Sequence, residues 1–171
     1  DYTDILNPQI KKALVSKIKS NNIGEYLTLE ILESEKVSSF DTVNEFINDV
    51  KQFGVKIAID DFGTGFSNYE NILNLNIDYI KIDGSLIRKI NEDIYLNLIK
   101  SIVLFSKQQN IKVVAEFVSD LKILRYVKNI EIDYSQGYYI GKPTHIQELF
   151  GEEDETTTKK DNWFNNKWYF K

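Results

Sequence analysis

Seven polar residues fall at or near the ends of short apolar runs. They are Glu30 in "LTLEIL", Asp60 and Asp61 after "VKIAI", Lys81 and Asp83 in "YIKID", Glu116 closing "KVVAE" and Gln136 in "YSQGYY". Carboxylates gathered on one rim repel one another unless a cation sits among them. The chain has no cysteine and a single histidine, His145. Any metal would therefore be held mainly by oxygen, which favours magnesium, manganese or calcium. Side chains of adjacent strand residues diverge, so one of Asp60 and Asp61 is expected to bridge a pair of ions while the other binds only the second. A two-metal centre of this kind activates water and stabilises in-line displacement at phosphorus. Lys81 could orient or deprotonate that water, or neutralise developing charge. Gln136 offers a donor and an acceptor to a ligand or a bound water.

Taken singly, each of these residues also reads as a solvated strand edge or a helix cap. Lys81 is harder to read that way. It stands between Ile80 and Ile82, on the strand face shared with Asp83, and a buried ion pair is a weak stabiliser. Repetition of the pattern on every strand is what points to chemistry.

The elements that must carry these residues alternate along the chain. "LNPQIKKALVSKIKSNNIG" reads as a helix capped by Asn7, with Pro8 in its first turn and Gly24 after its end. "YLTLEIL" reads as a strand. "FDTVNEFINDVKQFG" reads as an amphipathic helix with Val43, Phe46, Ile47, Val50 and Phe53 on one face and Gly54 as its stop. "VKIAID" and "YIKID" are the next strands. The helix within "NEDIYLNLIKSIVLFSKQQN" is expected to bury Ile94, Leu98, Ile102 and Phe105. "IKVVAEF" is a strand, "SDLKILRYVKN" a helix capped by Ser119, and "YSQGYYI" a fifth strand. Such alternation implies parallel βα units, in which strand ends converge on one mouth.

Of the 171 residues, 42% are hydrophobic, enough to build a core. A net charge of -5, from 26 acidic and 21 basic residues, argues against a general nucleic-acid grip and excludes DNA as the expected partner. No apolar run is long enough to span a membrane, and no signal peptide opens the chain, so a soluble cytoplasmic segment is expected. The first residue is Asp1 and methionine is absent, so the chain is read as a processed or excised part of a longer one. From "GEEDETTTKKDNW" onward the alternation fails. Residues 150–171 are read as an acidic linker and an aromatic tail, "WFNNKWYF", that docks on this domain or on a partner.

"LTLEILES", "IAIDDFGTGFSN", "YIKID", "VVAEFV" and "YSQGYYIGKP" resemble, in order and spacing, the EAL domain, a bacterial family of cyclic di-GMP phosphodiesterases. The resemblance covers residues 1–149. It implies an α/β fold, a TIM-like (β/α) barrel of EAL type, of which about five C-terminal βα units are present and the first strands are missing. It implies metal ligation by Glu30, Asp60, Asp61 and Glu116, assistance to the attacking water by Lys81 with Glu116 as ligand or base, a water or substrate contact for Gln136 and Asp83, and a loop-steadying role for Glu33. The cofactors implied are two magnesium or manganese ions. The reaction implied is hydrolysis of cyclic di-GMP to the linear dinucleotide. A homodimer formed through the loop after Asp61 and an upstream regulatory domain are further implications.

The chain departs from the family in places. The Glu-Ala-Leu segment and the asparagine strand that follows it belong upstream of Asp1, so the segment alone is expected to be inactive. Ser119 stands where a glutamate is usual, and Gly84 where a basic residue is usual. A degenerate EAL module that binds cyclic di-GMP or a protein partner without hydrolysis is the alternative. A metal-dependent barrel enzyme of enolase type is opposed by the motif order.

Overall fold

The structure, a computed structural model, describes residues 7–32, 40–63 and 69–143. Glu33, residues 64–68 of the loop after Asp61, His145 and the whole C-terminal stretch lie outside the described residues, and so does the expected boundary at 149/150.

Helix α1 (Pro8–Asn21) begins where expected: the Asn7 side chain accepts from the backbone N–H groups of Gln9 and Ile10, and proline occupies the first turn. Gly24 follows its end as expected, but the cap itself is Asn22. Asn22 takes the left-handed conformation and returns its N–H to the carbonyls of Ile18 and Lys19, whereas Gly24 opens a short 3-10 turn (Gly24–Tyr26). Asparagine tolerates this conformation well enough to stop a helix. Strand β1 (Thr28–Leu32) follows, then α2 (Phe40–Lys51), β2 (Lys56–Phe62), α3 (Tyr69–Leu73), β3 (Tyr79–Ile82), α4 (Gly84–Ile87), α5 (Asp93–Gln108), β4 (Lys112–Ala115), α6 (Leu121–Asn129) and β5 (Tyr134–Ser135). Helix α2 buries Val43, Phe46, Ile47 and Val50, with Phe53 packed against the same core, and Gly54 at φ 87° turns the chain into β2.

The strands form one sheet in the order β1-β2-β3-β4-β5, and every pairing is parallel. Each crossover carries at least one helix, so the architecture is the expected α/β arrangement of consecutive βα units in a partial TIM-like barrel. The fifth strand spans two residues, shorter than "YSQGYYI" implied. Ile31, Ile57, Ile59, Phe62, Ile80, Ile82, Val113 and Ala115 point from the sheet into a core shared with the helices. The opposite face carries Glu30, Ala58, Asp60, Lys81 and Val114.

Two helices correct the sequence reading. In α5 the buried residues are Ile99, Ile102, Val103 and Ser106, whereas Ile94 and Leu98 are exposed. The helix is apolar on more than one side, and contact with the sheet selects the stripe. Helix α6 is capped by Asp120, whose side chain accepts from the Ile123 N–H. Ser119 instead donates its hydroxyl to Asp120.

The N-terminal rim of the sheet is pinned by a repeated device. The tripeptide Ile-Asp-Tyr precedes or opens both β3 and β5, at 77–79 and 132–134. Asp78 accepts from the Ile57 N–H at 2.9 Å and pairs with Lys51 and Lys56. Asp133 accepts from the Val113 N–H at 3.0 Å and pairs with Lys112. Each aspartate ties its own strand to the neighbouring one, which fixes register at the end of the sheet opposite the polar cluster. No helix among the described residues is long and apolar enough to cross a membrane.

Candidate active site

The parallel register decides which side chains meet. Glu30 pairs with Ala58, Ala58 with Tyr79, and Lys81 with Val114. Residues at matching levels of a parallel sheet share a face, so Glu30, Asp60, Lys81 and Glu116 reach one another at the C-terminal rim. The Lys81 ammonium lies 2.7 Å from Asp60 Oδ1, 2.9 Å from Glu30 Oε1 and 3.0 Å from Glu116 Oε1. Lys81 and Glu116 are buried, Asp60 is largely so, and Glu30 is more open.

Asp60 and Asp61 do not diverge as strand alternation predicts. Ile59 pairs with Ile80 but Phe62 with Ile82, so β2 holds one more residue than β3 between these pairs. The extra residue is accommodated by a bulge, and Asp61 takes φ 57°. Phe62 is thereby returned to the core, where its ring meets Tyr69 edge-on. Asp60, Asp61 and Glu116 each offer an oxygen, and these atoms all lie within 4.8 Å of one another.

The electrostatics follow from this convergence. Burial alone would lower the Lys81 pKa. Hydrogen bonds to Asp60, Glu30 and Glu116 override it and hold the pKa above the usual lysine value. An ammonium so held donates to three carboxylates and offsets part of their negative charge. Glu116 is pushed up by burial, and by Asp60 and Asp61, against the pull of Lys81. Asp61 is pushed up by desolvation, then by Asp60 and Asp83. The group of carboxylates carries more negative charge than one lysine offsets. Its hard oxygen donors fit a divalent cation of the magnesium, manganese or calcium type.

Asp83 is placed differently from Lys81. Its Oδ1 accepts from the Ser85 N–H at 2.7 Å and caps α4. Burial raises its pKa, but the hydrogen bonds from Ser85 and Gly84 prevail and lower it. Gln136 sits on the strand-to-turn segment after β5. Its backbone joins Ala115 and Val118, and Gly137 passes so close to Val118 that a Cβ would lie 2.3 Å from its nitrogen. Gln136 and Glu116 line a cleft of about 390 Å³ together with Phe117, Ser119, Tyr138, Ile140 and Pro143. The sequence reading included Glu116 and Gln136 but not the apolar walls, Phe117, Tyr138, Ile140 and Pro143. Their signal was present in the same two stretches, "AEFVS" and "QGYYIGKP".

A parallel sheet with its acidic cluster at the C-terminal rim defines a barrel-type α/β domain with its polar site at the strand ends. The sequence matches the EAL domain over residues 1–143, and the chain belongs to that family. It is 42% identical over 130 residues to the cyclic di-GMP phosphodiesterase PdeA of Borreliella burgdorferi, covering 75% of this chain and 19% of that protein. It is 36% identical over 127 residues to the cyclic di-GMP phosphodiesterase PdeF of Escherichia coli, covering 74% of this chain and 17% of that protein. The chain thus spans about a fifth of the length of these relatives. Among solved structures, an EAL domain protein from Listeria monocytogenes superimposes with a TM-score of 0.78 at 27% identity, covering 86% of this chain and 60% of that one. The PaMucR phosphodiesterase in complex with c-di-GMP has the same fold, with a TM-score of 0.79 at 24% identity over 87% of this chain and 61% of that one.

Proposed function

We propose that this segment belongs to a cyclic di-GMP phosphodiesterase and contributes most of its catalytic rim, converting the cyclic dinucleotide to the linear one. The observation that carries the reading is the convergence of Asp60, Asp61 and Glu116 within 4.8 Å around the buried Lys81 ammonium. The names of the similar proteins and membership of the EAL family support it.

In this reading Glu30, Asp60, Asp61 and Glu116 would hold two magnesium or manganese ions, which would supply an activated water and charge neutralisation at phosphorus. With those carboxylates engaged by the cations, the Lys81 ammonium would be released from them to orient or deprotonate the attacking water, or to offset charge developing on the phosphoryl oxygens. Gln136, on the cleft wall beside Glu116, positions that water or the substrate. Asp83 fixes the turn into α4 through Ser85 and supports the site from outside the carboxylate cluster.

The test is turnover of cyclic di-GMP by the full-length protein with magnesium or manganese, read as formation of the linear dinucleotide. Asp60→Asn keeps the side-chain shape but removes the charge. It is expected to lower turnover by more than about a hundredfold, beyond the loss typical of a group that only supports a metal ligand. Turnover that persists unchanged in this variant would sink the assignment.

A binding module without hydrolysis is the second reading. It is favoured by Ser119, which lines the cleft where the resemblance leads one to expect a glutamate, and so brings no carboxylate there. Under this reading the full-length protein binds cyclic di-GMP but does not consume it.

A further inference from the structure

We propose that Phe117 is a specificity-determining residue whose ring forms the platform on which a purine base of the ligand stacks, beside the carboxylate cluster. This rests on the cyclic dinucleotide reading above and holds for binding with or without hydrolysis.

Phe117 follows Glu116 directly, so its position is tied to the cluster. Its backbone takes φ 53°, a conformation uncommon for a bulky side chain and one that gathers at functional sites. The consequence is visible in the ring's surroundings. Phenylalanine is normally among the most buried residues, yet Phe117 is 55% exposed and forms a wall of the 390 Å³ cleft shared with Glu116, Gln136 and Tyr138. The neighbouring residues Val118 and Ala115 are fully buried, so the exposure belongs to this position and not to the segment.

The ring is nevertheless held firmly. A Cβ added at Gly84 would lie 2.2 Å from Phe117 Cδ2, so the ring rests directly on the Gly84 backbone and requires glycine there. The Arg88 guanidinium carbon lies 5.0 Å from the ring centroid, within the range of a cation–π contact. Gly84 at the start of α4 and Arg88 just after it therefore seat an aromatic ring that the hydrophobic core does not use.

A fixed aromatic surface opening onto a cleft favours a planar aromatic ligand group, because base–aromatic stacking holds a base without needing a matched hydrogen-bond pattern. The adjoining carboxylates and their cations address the phosphodiester. Phe117 thus addresses the other half of a nucleotide ligand.

The experiment compares Phe117→Gly and Phe117→Trp in the full-length protein. Glycine accepts the positive φ, so the first variant removes the ring without forcing the backbone. Tryptophan keeps an aromatic face. Equilibrium binding of cyclic di-GMP is measured directly, with KM and kcat recorded where turnover occurs. Competition by GMP is set against competition by ribose 5-phosphate, which lacks the base. Phe117→Gly is expected to weaken cyclic di-GMP and GMP binding roughly tenfold, the scale of losing one stacked base, and to raise KM by more than it lowers kcat. Ribose 5-phosphate competition should stay unchanged, and Phe117→Trp should retain wild-type affinity. Equal affinity of wild type and Phe117→Gly for cyclic di-GMP would overturn the stacking role while leaving the functional reading intact. Loss of ribose 5-phosphate competition to the same degree as GMP would show that the ring only supports the rim, and overturns it as well. A wild-type protein that does not bind cyclic di-GMP would overturn the functional reading and the platform with it.

Discussion

Asp61 shows how much chemistry one backbone angle controls. At φ 57° its carboxylate joins Asp60 and Glu116, and desolvation together with Asp60 raises its pKa. A carboxyl group whose folded pKa is raised weakens the fold in its ionised form, so at neutral pH its charge opposes stability. Asp61→Asn removes the charge with a residue that also tolerates the left-handed region. The melting temperature of the metal-free protein is expected to hold or rise slightly. Magnesium affinity is expected to fall about tenfold or more, as for lost metal-site support. Thermal unfolding and magnesium titration of the same variant check both halves. A variant that unfolds more easily without metal would contradict the repulsion argument.

At the scale of the elements, the site depends on register set at the far rim. Asp78 binds the Ile57 N–H, Lys51 and Lys56 at once. Its burial raises the pKa, but these partners outweigh burial and hold it below the ordinary aspartate value of 3.8. Because the folded pKa is the lower one, the stabilisation is complete above the ordinary value and is lost as pH falls through the folded pKa. Asp78→Asn should cost about 1.5–3 kcal/mol at pH 7, the range for hydrogen bonds to charged groups. It should also flatten the loss of stability on acidification below pH 3.8. Denaturant unfolding across pH tests both expectations.

Helix α5 supplies an opposite case. Ser106 is fully buried, and its Oγ has no hydrogen-bond partner among the described residues. Ser106→Ala removes an unsatisfied polar atom, and urea unfolding should show a gain of about 1 kcal/mol.

At the scale of the whole molecule, the fold gathers acidic groups from separate strands around one lysine. An added divalent cation should therefore bind the folded state and not the unfolded chain. For the full-length protein, magnesium or manganese at about a hundred times its dissociation constant should add about 2.7 kcal/mol of stability. The gain should disappear in Asp60→Asn. Differential scanning calorimetry with and without a chelator measures it, and an equal gain in the variant would place the cation elsewhere. The same assembly explains why the sheet's two faces differ so strongly. One is a continuous aliphatic core against the helices, and the other carries Glu30, Asp60 and Lys81.

The amino-acid sequence alone determined the alternation of strands and helices, because apolar periodicity and caps such as Asn7 are local signals. It also determined the oxygen-only donor set and the placement of Glu30, Asp60, Lys81 and Glu116 at strand ends. Tertiary structure decided what local patterns cannot contain. Strand alternation sends Asp60 and Asp61 apart, and only the cross-strand register of β2 with β3 forces the bulge that brings them together. Helical periodicity allowed two stripes on α5, and packing against the sheet chose Ile99, Ile102 and Val103 over Ile94 and Leu98. The charge of Lys81 was likewise undecided until three carboxylates from three other strand ends closed on it. Hydrogen bonds and burial between distant segments fix these features, and such contacts exist only once the strands have paired.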